Sequence, residues 1–207
     1  MNREHPILDI YYDNPNEASD MYLKYLKRDC EKEGIEVRVY DDINKWVESP
    51  CGDGELFLEP TKNMPEFYKD HEWNVDRDSA TATGIYNYIT ENYPSRITTI
   101  AVIGRGLVGK QLIDKLINYG YTVCEFNSKS NRNFLEDACF IHSDIVIGLA
   151  TEQVFNKFAC KWIQPHVKLI DAANNFDTDN KLRCGKWTRQ VIIDRVKENF
   201  EKGLSNG

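Results

Sequence analysis

The sequence of 207 residues has no long apolar run, and stretches such as IVIGLA are far too short to cross a bilayer. The first residues, MNREHPILDIYYDN, lack the apolar core of a secretory signal, so we expect a cytoplasmic protein with no membrane partner. Basic residues are also in deficit, because 26 Lys and Arg face 33 Asp and Glu and the formal net charge is −7. This charge argues against nucleic acid as a partner.

The sequence also lacks the clustered ligands of a metal site. Its six cysteines include no C-x-x-C pair, and their spacing matches neither a zinc site nor a disulfide framework. The four histidines are scattered, and we therefore expect no metal. Cys124 lies in an apolar run and is expected to be a small buried side chain.

Short apolar runs and helical patterns alternate along the first part of the chain. PILDIYY, IEVRVYD and ELFLEP predict strands, and DDINKWVES predicts a short helix. Between the first two strands, Met21, Tyr22, Tyr25, Leu26 and Cys30 recur at helical spacing before Gly34, which predicts a helix that stops at this glycine. The rest of residues 49–78 is expected to be a long loop.

The pattern is more regular in the second part of the chain. SATATGIYNYITENY predicts a helix, and strands at 97–103, 121–126, 144–149 and 167–171 alternate with helices at about 107–119 and 132–141. WTRQVIIDRVKENFEKG predicts a final amphipathic helix that ends at Gly203. Such alternation predicts an α/β protein with a parallel sheet.

The stretch Gly104-Arg105-Gly106-Leu107-Val108-Gly109 fits G-x-G-x-x-G between a β-branched run and a helix. Gly104 would make the sharp turn, Gly106 would let the backbone approach a pyrophosphate, and Gly109 would let helix and strand pack closely. The helix N-terminus would offer N–H groups to the anion. The alternative is a tight turn that binds no ligand.

The end of the next strand, YTVCEFNSKS, bears on which dinucleotide would bind. Glu125 lies near the place where NAD sites carry a carboxylate for the ribose diol. Ser128 and Lys129 follow closely, and with Arg105 they form a cationic, hydroxyl-rich group that suits a 2′-phosphate. NADP is therefore favoured over NAD, although Lys129 could equally be a solvated loop charge.

These segments resemble the bifunctional methylenetetrahydrofolate dehydrogenase/cyclohydrolase family. IAVIGRGLVGKQLIDKLINYGYTVCEFNSKS is similar to the family's coenzyme segment, and HSDIVIGLAT and KWIQPHVKLIDAANNF are similar to the two strands that follow it. DNPNEASDMYLKYLKRDCEKEGI, EWNVDRD and SATATGIYNYI also resemble family segments, in the same order. The resemblance implies that Arg105 and Ser128 bind the 2′-phosphate, that Thr151 and Asn174 contact the coenzyme, and that the protein is a homodimer.

The resemblance also implies two lobes with a folate cleft between them. A folate-binding catalytic lobe would take residues 1–95 and the tail helix at 186–207, and a Rossmann-like NAD(P)-binding lobe would take 96–185. Tyr22 and Asp76 would contact a tetrahydrofolate derivative, together with Gly185 and Thr188 of the shortened loop that precedes the tail helix. The alternatives are a helix tyrosine with a buried ring and a solvated loop carboxylate.

The departures from the family concern its second reaction. The family's catalytic lysine, four residues after the tyrosine, is Leu26 here, and the glutamine of its Q-L-P motif is Leu58. Cyclohydrolysis needs a positioned acid/base group, whereas hydride transfer needs chiefly alignment. We therefore expect a dehydrogenase whose cyclohydrolase activity is weak or lost. The alternatives are bifunctional activity through Lys27, a catalytically inactive folate- or nucleotide-binding protein, and a reductase for another substrate.

Overall fold

The computed structural model describes residues 4–13, 15–49, 52–58, 73–126, 137–150, 155, 160–161 and 163–205. The chain divides into two units. Unit 1 comprises Met1–Ala80 together with Arg189–Gly207, and unit 2 is the contiguous segment Thr81–Thr188. Both divisions fall inside helices, whereas the sequence prediction placed them at residues 95 and 185.

The described part of unit 1 begins with alternating strands and helices. They are β1 (Ile7–Tyr11), α1 (Glu17–Lys32), β2 (Glu36–Tyr40), α2 (Ile43–Glu48) and β3 (Gly54–Phe57). The strands form a parallel sheet in the order β2-β1-β3, so β1 is central. All five elements were predicted from the sequence.

Helix α1 is capped at its start and ends at the glycine that the sequence predicted. The side chain of Asn16 accepts a hydrogen bond from the Ser19 N–H (3.0 Å), which caps the first turn. Glu17 and Asp20 lie in that first turn, where acidic side chains favour the helix dipole. Gly34 has φ = +72°, so the predicted glycine stop is confirmed.

The two faces of the unit 1 sheet bury different side chains. One face forms a large apolar cluster in which Leu8 and Ile10 of β1 pack with Leu26 of α1 and Leu58. Its members from the last helix of the chain are Val191, Ile192, Ile193 and Val196. On the other face Tyr11, Trp46 and Phe57 form an aromatic cluster, with the Trp46 and Phe57 ring centroids 4.3 Å apart.

The remaining elements follow in chain order. They are α3 (Arg77–Asn92), β4 (Thr99–Ile103), α4 (Leu107–Tyr119), β5 (Thr122–Phe126), α5 (Ala138–Ile141), β6 (Ile145–Gly148), β7 (Lys168–Asp171), β8 (Leu182–Arg183) and α6 (Gly185–Ser205). The five strands of unit 2 form a parallel sheet in the order β5-β4-β6-β7-β8. The chain moves from β4 to one side and then returns to the other, so the sheet has a switch point beside β4.

Both faces of this second sheet are buried, as a parallel sheet requires. Ile100 and Val102 of β4 pack with α4 in one apolar cluster, whereas Ala101 and Ile103 pack in another. The alternation of β4 side chains between the two clusters follows from the two-residue period of a strand. The sheet therefore presents its strand ends, not its faces, to ligands.

Four details differ from the sequence predictions or extend them. Strand β8 was not predicted, because two residues give no periodicity. Helix α6 continues to Ser205, since Gly203 does not have the positive φ of a glycine cap. Cys124 is buried as expected, but it is also disulfide-bonded, which the sequence analysis did not predict. Of the helix predicted at 132–141, residues 137–141 are described, and the helix there is Ala138–Ile141.

Candidate functional site

The turn between β4 and α4 (residues 104–109, the glycine turn) has no room for a side chain at two of its three glycines. Gly104 has φ = +105°, and a Cβ there would lie 2.7 Å from Leu149 C and Ala150 N. The Gly104 N–H donates to the Phe126 carbonyl (2.8 Å), which ties the turn to the end of β5. A Cβ on Gly109 would lie 2.1 Å from the Gly104 carbonyl oxygen. These two glycines therefore let strand and helix approach closely.

Gly106 differs from the other two glycines of the turn. It is the N-cap of α4, no side chain caps the helix there, and its φ of −72° is open to any residue. A Cβ at this position would meet no atom of the described residues within 4 Å. The first turn of a helix leaves N–H groups without intrahelical acceptors, and here the space in front of the cap glycine is open. The turn therefore fits the pyrophosphate of a dinucleotide.

Arg105 and Glu125 form an ion pair beside this turn. Arg105 Nε lies 3.2 Å from Glu125 Oε2, and the two side chains are 61% and 36% exposed. Glu125 is in register with Val102 on the neighbouring strand, one residue before the strand ends. The carboxylate and the guanidinium considered for the ribose end of the coenzyme are thus in contact. Ser128, Lys129 and Thr151 lie outside the described residues, and their roles stay predictions.

The segment after β7 (residues 171–177, the Asp171 loop) is held by a buried carboxylate. The fully buried Asp171 accepts from the Asn175 N–H (2.9 Å) and forms an ion pair with Lys181 Nζ (2.7 Å), whose side chain is 11% exposed. Asn175 Nδ2 donates to the Ala150 carbonyl (2.7 Å), which connects the ends of β6 and β7. Sequence reasoning missed Asp171, Asn175 and Lys181. The only signal was a charged residue at the end of the apolar run KLID.

The same loop carries Asn174, one of the predicted coenzyme residues. Asn174 has φ = +60°, a left-handed conformation that asparagine tolerates better than most residues. Its Oδ1 accepts a hydrogen bond from Arg183 Nη1 (2.5 Å). Arg183 therefore fixes the orientation of this amide at the carboxyl edge of the sheet.

The predicted folate residues of unit 1 include Tyr22 and Lys27, both half-buried on α1. The guanidinium of Arg189 lies 6.0 Å from the Tyr22 ring centroid, and Arg189 Nε donates to Asp29 Oδ2 (2.7 Å). Burial would raise the pKa of Asp29, but hydrogen bonds from Arg189 and Arg28 outweigh it and hold the pKa below its usual value. Tyr22 is thus held beside a well-anchored cation.

The two positions at which the sequence departs from the family are both fully buried. Leu26 and Leu58 have 0% exposure and belong to one apolar cluster, with Val75 and Ile192 among its other members. A lysine ammonium in this cluster would lose its hydration without gaining a charged partner. These positions are packed core and hold no proton donor or acceptor on their side chains.

Asp76 caps α3. Its Oδ1 accepts from the Asp78 N–H and its Oδ2 from the Ser79 N–H, both at 3.1 Å. A carboxylate has further lone pairs, so the capping bonds leave it able to accept from a ligand amino group. Burial and the charge of Asp76 raise the pKa of the half-buried Asp78.

The two predicted substrate residues near the start of α6 have different surroundings. Gly185 is the first residue of this helix. Thr188 is 2% exposed, and its Oγ1 lies 3.2 Å from both Thr81 Oγ1 and the Cys184 carbonyl oxygen. The substrate roles of Gly185 and Thr188 stay predictions. Among the described residues, no group of three or more His, Cys, Asp or Glu side chains could hold a metal ion. Nor does that part of the chain contain a helix long and apolar enough to span a membrane.

A parallel sheet with helices on its faces and a glycine turn at its switch point is a Rossmann-type arrangement. Solved methylenetetrahydrofolate dehydrogenases have a similar fold over nearly the whole chain. The NAD-dependent enzyme from Saccharomyces cerevisiae has a TM-score of 0.75 at 17% identity, covering 98% of this chain and 89% of that chain. The dehydrogenase-cyclohydrolase from Trypanosoma brucei, complexed with NADP and an inhibitor, has a TM-score of 0.74 at 14% identity, covering 96% and 88%.

The bifunctional enzyme from Thermoplasma acidophilum has a TM-score of 0.71 at 19% identity, covering 97% of this chain and 90% of that chain. No protein-family model and no curated protein matches the sequence. At such identities the similarity is one of fold. It confirms the α/β fold class with parallel sheets, and at the level of the fold it confirms the resemblance noted in the sequence.

Proposed function

We propose that this chain is an NADP-dependent methylenetetrahydrofolate dehydrogenase, which oxidises 5,10-methylene- to 5,10-methenyl-tetrahydrofolate and has little or no cyclohydrolase activity. The observation that carries the proposal is the glycine turn, in which Gly106 caps a helix without a side chain and faces space that no described residue fills. The similar folds of the dehydrogenases named above support the substrate class.

The coenzyme would be held by the edge of the unit 2 sheet. The N–H groups of the glycine turn would bind its pyrophosphate, and Arg105 would attract the 2′-phosphate of NADP. Asn174, whose amide Arg183 orients, would contact the coenzyme together with Ser128, Lys129 and Thr151. When bound, the nicotinamide ring accepts a hydride from the methylene carbon.

The folate residues would bind and orient the substrate. The Tyr22 ring would pack against or hydrogen-bond the folate, and Asp76 would accept from the pterin amino group while it caps α3. Hydride transfer requires no proton from the protein, so alignment of the two reacting rings can supply much of the acceleration. Dehydrogenation therefore survives the loss of the family's lysine and glutamine.

Cyclohydrolysis has different needs. Water must be activated and protons moved by a positioned acid/base group, and Leu26 and Leu58 offer none. Lys27 lies one residue further along α1, about 100° round the helix from Leu26. A bifunctional enzyme would have to act through Lys27 or another proton donor.

Gly106 provides a sharp test of the coenzyme site. Gly106→Ala adds a methyl group to open space, so the variant should fold with an unchanged melting temperature. If a pyrophosphate approaches this backbone, the methyl group should lower the affinity for NADP by at least about tenfold, or roughly 1.4 kcal/mol of binding free energy. Calorimetry measures this affinity. Gly203→Ala is the matched control, because its added Cβ also meets nothing within 4 Å. Equal affinities for both variants and the parent protein would contradict the proposed site.

Product analysis separates the remaining alternatives. With methylene-tetrahydrofolate and NADP, we expect NADPH to form and the methenyl absorbance to decay only at its spontaneous rate. Faster decay that Lys27→Met abolishes would show a bifunctional enzyme. Binding of the coenzyme without formation of NADPH or NADH would show an inactive binding protein.

A further inference from the structure

We propose that Glu125 determines coenzyme specificity together with Arg105. In this proposal, which rests on the proposed function, Glu125 accepts the ribose 2′-hydroxyl of NAD. It also opposes the 2′-phosphate of NADP by its own charge and by its ion pair with Arg105. Arg105 favours NADP, Glu125 limits that preference, and the protein accepts both coenzymes.

The position of Glu125 carries the first part of the argument. Its Cα is in register with Val102 of β4, the strand that leads into the glycine turn. It follows Gly106 by about 20 residues and lies just before the end of the second strand. In a Rossmann arrangement this is where a carboxylate hydrogen-bonds the adenosine ribose. At 36% exposure the side chain is accessible to a ligand.

The ion pair carries the second part. Arg105 Nε lies 3.2 Å from Glu125 Oε2, so a phosphate that binds Arg105 approaches the Glu125 carboxylate or displaces it. Two anionic groups that share one guanidinium repel each other, whereas a ribose hydroxyl can donate to the carboxylate without breaking the pair. The Glu125 carboxylate therefore favours a hydroxyl at the 2′ position, and it reduces, without abolishing, the preference of Arg105 for a phosphate there.

The pair is also free to respond to a ligand. Exposed ion pairs contribute little to the stability of a protein, and the Arg105 side chain is 61% exposed. Neither side chain belongs to the apolar clusters of unit 2. Variants at these positions should therefore fold normally. A change in their coenzyme affinity can then be attributed to a lost contact with the coenzyme and not to altered folding.

The test is calorimetric titration of NAD and NADP into the parent protein, Glu125→Gln and a control. Glu125→Gln keeps the size of the side chain but removes its charge. We expect NAD to bind several-fold more weakly and NADP several-fold more tightly, so that the ratio of the two dissociation constants changes by at least about tenfold in favour of NADP. Arg105→Gln should shift the ratio in the opposite direction.

Glu33→Gln is the matched control, because Glu33 forms an exposed ion pair with Lys197 (2.5 Å) in unit 1. It should leave the ratio unchanged. If Glu125→Gln alters both constants by the same factor, or alters neither, the specificity role is refuted while coenzyme binding stands. If the parent protein binds neither coenzyme, both the proposed function and the specificity role are refuted.

Discussion

The glycine-turn edge of unit 2 and the Leu26–Leu58 region of unit 1 differ in opposite ways from the pattern of the family that the sequence resembles. At the coenzyme edge the backbone keeps the geometry that a dinucleotide requires, with two glycines that cannot carry a Cβ and a third that faces open space. In unit 1 the positions of a proton-transfer pair are filled by two fully buried leucines. The first region therefore depends on the geometry of the backbone, whereas the second is filled by the packing of apolar side chains.

The comparison gives a physical reason for the proposed combination of dehydrogenase activity with little or no cyclohydrolase activity. Backbone N–H groups are present at every residue except proline, so an anion site at a helix N-terminus depends on the shape of the chain. A lysine and its hydrogen-bond partner depend on two particular side chains and on a polar pocket around them. Once leucines occupy both positions, restoring one polar group leaves it buried without its partner.

The largest expected effect tests whether Leu26 is part of the core. Leu26→Lys should lower the free energy of unfolding by roughly 3–5 kcal/mol, the cost of a buried charge without a partner. Leu26→Met, which conserves volume, should cost less than about 1.5 kcal/mol. Urea unfolding measures both. Similar costs for the two variants would mean that the side chain at this position reaches solvent, and the contrast between the regions would fail.

A smaller effect is expected at the coenzyme edge. Asp171→Asn removes the charge that faces Lys181 and should cost about 2–3 kcal/mol of stability, because a largely buried ammonium loses its partner. It should also lower the affinity for the coenzyme, because the Asp171 loop carries Asn174, which is proposed to contact the coenzyme. The exposed Asp177 provides the control, and Asp177→Asn should stay within about 0.5 kcal/mol. If the coenzyme affinity of Asp171→Asn is unchanged, the loop does not contribute to the site.

The pairing itself can be tested at this position. Adding Lys181→Met to Asp171→Asn should recover part of the lost stability, because the double variant leaves no unpaired charge. If the double variant is less stable than Asp171→Asn alone, Lys181 stabilises the loop mainly through its hydrogen bond to the Phe176 carbonyl.

The smallest expected effect is the pH dependence of stability that arises from two buried thiols, one in each unit. Burial raises the pKa of Cys30 in unit 1 to about 12 and that of Cys184 in unit 2 to about 11, from an ordinary value of 9.0. The unfolded chain loses these protons above about pH 9 while the folded chain keeps them. Stability should therefore fall as the pH rises from 9 to 11, by about 1 kcal/mol per thiol at pH 10.

Cys30→Ala and Cys184→Ala should each flatten this slope of stability against pH between 8 and 10. Unfolding by urea at a series of pH values measures the slope, and the loss of stability at pH 7 serves as the reference for each variant. An unchanged slope in either variant would mean that the thiol is not shielded from water in the folded state.

Local signals in the sequence were sufficient for most of the fold. The stop at Gly34 and the glycine turn each depend on a few neighbouring residues, and the structure has both. The alternation of β4 between two cores also follows from its own residues, because a strand exposes two faces to whatever covers the sheet.

The polar contacts of the site were harder to predict. The Asp171–Lys181 and Arg105–Glu125 pairs join residues from different elements, and only the folded sheet brings them together. The substitutions at Leu26 and Leu58 were visible in the sequence, but their meeting in one apolar cluster depends on how α1 packs on the sheet. Ser128, Lys129 and Thr151 stay predictions.

The composition of unit 1 has a consequence for how the chain folds during synthesis. Its apolar cluster includes Val191, Ile192, Ile193 and Val196 of α6, which leave the ribosome after the whole of unit 2. Domains generally fold in the order in which they are made. Here the segment Thr81–Thr188 can collapse first, while the earlier-made β1 waits, incompletely covered, for the last helix. We therefore expect the sheet of unit 1 to complete its apolar cluster only after unit 2 has been synthesised.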